Sequence, residues 1–169
     1  MSKSLLMTAV AVLCCTVSTA SAQQVNEAQA TAKLDDATVE VSAADDSHIG
    51  VADEITTLED AYNQVIALLN SWNVPANHPD RQAADDAYGD VGIASAKNDA
   101  ARDKIDDGIA DVDAAIDAFE NSNWSLCYSK SVSAIQNSNA AFSLMLDAES
   151  HCDWAAQVFL DLSEEYEIY

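Results

Sequence analysis

The side chains best suited to chemistry are sparse. Three histidines occur, His48, His78 and His151. No two of them stand four apart, as a helical zinc pair requires. No Glu-x-x-His repeat supports a di-iron bundle. Asp45-x-x-His48 has only the outline of half of one. Covalent haem is excluded because Cys-x-x-Cys-His is absent. Asp106-Asp107-Gly108, continued by Asp113 and Asp117, has the acid density of a calcium loop. It lacks the alternating Asp-x-Asp-x-Asp-Gly order and the closing Glu. Its spacing fits the wet face of a helix, which offers divalent cations weak, nonspecific binding and no built metal site. Nucleophilic catalysis needs an activated Ser, Cys or Thr beside a base. There is no Gly-x-Ser-x-Gly elbow. The four glycines form no phosphate nest. The expectation is a protein that is not an enzyme and carries no cofactor. Asn123-Trp124-Ser125 is an N-glycosylation triplet, relevant only in a eukaryotic source.

Cys127 and Cys152 are the cysteines outside the N-terminal apolar stretch. In an exported chain an even number of cysteines is usually oxidised. One straight helix between them would hold them about 37 Å apart, at 1.5 Å per residue, too far to bond. A turn midway, at Gln136-Asn137-Ser138-Asn139-Ala140, would fold two antiparallel helices and bring them face to face. Asn and Ser are turn and helix-boundary residues. The expectation is therefore a Cys127–Cys152 disulfide, worth about 3 kcal/mol on the loop-entropy argument. Two buried free thiols, or a bond between chains, are the alternatives.

The elements that would carry these residues are helical. From Ala52 to Trp72, Ile55, Leu58, Tyr62, Val65 and Leu69 recur at steps of three and four, which places one stripe on one face. Asn73-Val74-Pro75-Ala76-Asn77-His78-Pro79 ends it. Asp80 starts a second stretch, which Gly89 and Gly92 should bend or interrupt, since each costs about 1 kcal/mol relative to Ala. Beyond them Ala94, Ala101, Ile105, Ile109, Val112, Ile116 and Phe119 read as an inward stripe, with acids opposite. Asn121-Ser122-Asn123 closes that helix. Trp124 to Ile135 reads as a third, and Ala140 to about Tyr166 as one or two more. Residues 23–50 are rich in Ala, Thr, Asp and Ser, with small apolar residues of poor period, and read as a flexible acidic segment or one holding a weak helix near Val25 to Asp36. The predicted fold is all-α: a roughly four-helix antiparallel bundle over residues 51–169, with one intrachain disulfide.

The N-terminus bounds the setting. Lys3, the apolar run Leu5 to Val17 and the small-x-small ending Ala20-Ser21-Ala22 are the three parts of a cleaved signal peptide over residues 1–22. The run is shorter than the roughly 20 residues of a spanning helix. Leu13 before Cys14 is not the small residue that lipid attachment wants. The expectation is a secreted or periplasmic protein, with no membrane anchor after cleavage. With 29 acids against 7 basic residues, the net charge is −22. Such a charge repels nucleic acid and anionic membrane surfaces. It favours solubility, cationic partners or salt. An exposed part of an apolar stripe would also suit a homo-oligomer.

Cys127-Tyr128, then Ala140-Ala141-Phe142-Ser143-Leu144-Met145-Leu146, then Cys152 faintly resembles the second half of plant invertase and pectin methylesterase inhibitor domains. The resemblance implies a secreted four-helix bundle whose disulfide clips neighbouring helices, docking on an extracellular enzyme. The chain departs from it in a shorter cysteine spacing and in lacking the family's N-terminal cysteine pair. The leading expectation is an exported, acidic, non-enzymatic bundle that acts by binding or as an envelope component.

Overall fold

The computed structural model describes residues 24–167. The signal-peptide reading of residues 1–22 lies outside them. The chain forms three long helices: α1, Glu27–Ser71; α2, Pro79–Glu120; and α3, Trp124–Glu167. At 1.5 Å per residue each is about 65 Å long. Short turns make α2 antiparallel to both others. The fold is all-α, and no strand occurs among the described residues.

Each helix start is capped. Asn26 and Gln29 exchange side-chain and backbone bonds in a capping box ahead of α1. His78 Nδ1 accepts from the Asp80 amide, with Pro79 in the first helical position. Asn123 Oδ1 accepts from the Leu126 amide. The ends of α1 and α2 share one device. Asn73 (φ 55°) and Ser122 (φ 56°) take the left-handed conformation. The next residue's amide then reaches back to Leu69 O (2.9 Å) or Ala118 O (2.8 Å), the bond that closes a Schellman turn.

What holds the rod together is an unbroken seven-residue repeat in all three helices. Written with inward positions a and d, position d holds Ala30, Ala37, Ala44, Val51, Leu58 and Val65 on α1. On α2 it holds Ala87, Ala94, Ala101, Gly108 and Ala115. On α3 it holds Cys127, Ala134, Ala141, Ala148, Ala155 and Leu162. All are buried. Position a carries the larger side chains, including Val41, Ile55, Leu69, Val91, Ile105, Met145 and Phe159. A 3.5-residue average period is the condition for left-handed supercoiling with interlocked side chains. The small d row lets backbones approach closely. A Cβ added to Gly108 would stand 3.2 Å from Val41 Cγ2 and 3.6 Å from Ala134 O.

Four expectations are corrected. There are three helices, not four, because α3 runs straight through 136–140. Ser131, Ala134, Ser138, Ala141 and Met145 keep the a/d pattern there without a break. Ser138 Oγ satisfies itself on Ala134 O (3.1 Å), which makes a buried serine compatible with a helix interior. Cys127 and Cys152 therefore lie on one helix about 37 Å apart, as buried free thiols, and the disulfide is not formed. The inhibitor-type fold with clipped neighbouring helices goes with it. Residues 27–50 are helix rather than flexible chain, because Ala30, Ala37 and Ala44 supply a buried d row. Finally, α2 passes through Gly89 and Gly92 unbroken. Both are exposed, and the flanking Ala87, Val91 and Ala94 are buried, so packing outweighs the propensity cost.

Candidate functional site

The residues singled out for chemistry are dispersed. His48 is half-buried at an a position of α1, and His78 caps α2. His151 on α3 places Nδ1 2.5 Å from Asp90 Oδ1 on α2. No group of three metal-ligating side chains forms among the described residues. Gly108, central to the calcium-loop pattern, is a buried contact point inside α2. Asp106 and Asp107, immediately before it, pair with Arg102 (2.5 Å) and Lys104 (3.1 Å). Burial raises the Cys127 thiol. Burial, reinforced by Glu54, Asp153 and Glu149, pushes Cys152 up to about 11. Both thiols stay protonated and unreactive at neutral pH.

Polar contacts between helices fix the register. Asp111 accepts from Lys130 Nζ (2.7 Å), Ser133 Oγ (2.5 Å) and Asn137 Nδ2 (3.2 Å) across the α2–α3 seam. Its burial alone would raise the carboxyl, but the Lys130 and Ser133 bonds win and hold it below the usual carboxylate range. Arg102 joins Asp45 on α1 (2.5 Å), and Lys97 joins Asp147 on α3. At the 72–78 end, Trp72 Nε1 donates to Tyr166 O (2.9 Å) and Tyr62 Oη to Asp85 (2.8 Å). Lys33 and Asp36 pair within α1, and Arg81 bonds Val74 O and Asn70. Every described Lys and Arg is thus engaged within the chain.

No family model, curated protein or solved structure matches this chain.

The surface feature that combines shape with chemistry is a groove between α1 and α2, in the half of the rod nearer the 121–123 turn. Thr38, Val41, Ser42, Asp45, Ile109, Val112 and Asp113 line a space of about 210 Å³. Ile109 and Ile116 were expected inside, yet they stand 38% and 41% exposed. The true inward positions beside them are Gly108 and Ala115. A stripe read from large aliphatics picks Ile105, Ile109, Val112 and Ile116. The helix instead turns its small residues inward and leaves Ile109 and Ile116 beside the seam. The signal that would have found this is the seven-residue spacing of Ala87, Ala94, Ala101, Gly108 and Ala115. Ala94 and Ala101 of that row fall in the inward stripe, but beyond them the heavier hydrophobic weight of Ile109 and Ile116 outbids Gly108 and Ala115.

Proposed function

We propose that the protein is an exported, non-enzymatic rod that works by binding a partner on its acidic helical surface, in the periplasm, cell envelope or extracellular space. The observation that carries this reading is the division of charge. Every described Lys and Arg is tied to a neighbour in the chain. The large excess of Asp and Glu faces solvent without counter-charge, beside exposed Ile109, Ile116, Leu146 and Leu160. Such a surface repels nucleic acid and steers cationic partners. The leader-like residues 1–22 support export. Among the described residues no helix is long and apolar enough to cross a membrane.

The test is the intact mass of the native protein recovered outside the cytoplasm, with a turnover assay on a broad hydrolase panel. The expected result is a chain beginning at Gln23 and no turnover. A retained leader refutes export with cleavage. Substrate turnover refutes the non-enzymatic reading.

A further inference from the structure

We propose that the α1–α2 groove around Ile109 and Ile116 is the docking site of a basic amphipathic helix supplied by a partner protein. This rests on the surface-binding reading above and names the partner's chemistry.

The floor of the groove is apolar. Val41, Ile109 and Val112 line it, and Ile116, seven residues after Ile109, lies two helical turns further along the same row of α2, beyond the lining itself. Thr38 and Ser42 on α1 are short, so Val41 is the one sizeable apolar side chain of α1 that lines the groove with Ile109. An amphipathic helix recognises such a floor by seating aliphatic side chains three and four residues apart.

The rim decides the occupant. Asp99, Asp106, Asp113 and Glu120 recur every seven residues along α2, all exposed on the outer side of the Ile109–Ile116 row. Asp106 pairs with Arg102. Asp99, Asp113 and Glu120 take part in no ion pair among the described residues. A helix lying in the groove meets this row along one edge only. The complementary ligand carries Lys or Arg at seven-residue spacing on the edge facing α2, beside its apolar strip. A second copy of this chain is disfavoured, because the same faces would set two uncompensated acid rows against each other.

The probe is a three-heptad Leu/Lys amphipathic helical peptide, with its Leu/Glu counterpart, titrated into the full mature chain by calorimetry. The Leu/Lys peptide should bind one to one, lose affinity with added salt, and leave its counterpart unbound. Ile109→Asp with Ile116→Asp should weaken binding at least ten-fold, although the change adds negative charge. Simple attraction to a polyanion predicts the opposite, so tighter or unchanged binding overturns the proposal. Asp99→Lys, Asp113→Lys and Glu120→Lys together keep the floor and should transfer binding to the Leu/Glu peptide, which also guards against misfolding of the isoleucine variants. Leu146→Asp, on α3, should leave binding unchanged. No binding of the Leu/Lys peptide overturns the proposal, as does a wild-type dimer that Ile109→Asp dissociates. A native photocrosslink from position 160 but not from 116 removes the groove and leaves the surface-binding reading intact. Turnover of a substrate removes that reading instead.

Discussion

Asn98 on α2 is the point where this core is least satisfied, and replacing it gives a sharp test of the packing. The side chain is 4% exposed at an a position, midway along the rod. Its Nδ2 donates to His48 O at a long 3.4 Å, and that carbonyl already belongs to the α1 hydrogen-bond ladder. Its Oδ1 has no partner. Leaving a buried acceptor unsatisfied costs about 1–3 kcal/mol. Leucine branches at the same atom as asparagine, so Asn98→Leu removes the orphan acceptor and adds apolar contact, although its two methyl groups need more room than the planar amide. The one weak bond lost offsets only part of this. The variant should be more stable by about 1–3 kcal/mol, and each kcal/mol should raise Tm by about 2–4 °C for a chain of this size. Asn98→Asp should do the reverse, since it buries a charge among apolar neighbours. Urea melts followed by far-UV circular dichroism report the midpoint, and an unchanged slope shows that the same surface is exposed on unfolding. Stability lower than wild type by 1 kcal/mol or more, at unchanged slope, would refute the reasoning. It would mean that Asn98 belongs to a satisfied polar layer. A polar residue at one a position also fixes helix alignment, so the stabilised variant should show wider spread in amide exchange rates near His48.

Further outcomes follow from the titrating groups. Asp111→Ala should cost about 2–3 kcal/mol at neutral pH, because it removes the carboxylate that accepts from three cross-helix donors and leaves them unpaired. The folded carboxyl titrates lower than the unfolded one, so this difference should be full above about pH 4 and vanish as pH falls through the folded value. Paired acid titrations of wild type and variant read it directly. For Cys152 the sign is reversed. Its folded value is raised to about 11 against about 8.5 unfolded, so the folded chain keeps a proton that the unfolded chain releases. Stability should hold below about pH 8.5 and fall as pH climbs toward 11; a rising midpoint over that window would contradict the burial. In iodoacetamide without reductant, both thiols should resist alkylation while folded and both should react in denaturant. Thiols that appear only after reduction would restore the disulfide and break the straight α3.

The sequence alone determined the helical class and the places where the chain turns back. Asn121-Ser122-Asn123 and the segment from Asn73 to Pro79 are turns for local reasons: caps, prolines and residues that tolerate the left-handed conformation. The acid excess was equally legible, since charge needs no geometry. Only the tertiary structure decided which residues face inward. Ser138 and Asn137 carry a turn signal, yet Ser138 back-bonds in a helix and Asn137 reaches Asp111 across the seam. Ala30, Ala37 and Ala44 look too small to order a segment, until two other helices with small d rows close on them. Ile109 and Ile116 look like core, until Gly108 and Ala115 draw the backbones together and leave no room between them. An alanine seam gains its stability from close approach along the whole rod rather than from the size of any one side chain. That contribution exists only once all three helices are in register, so no single segment of the sequence displays it.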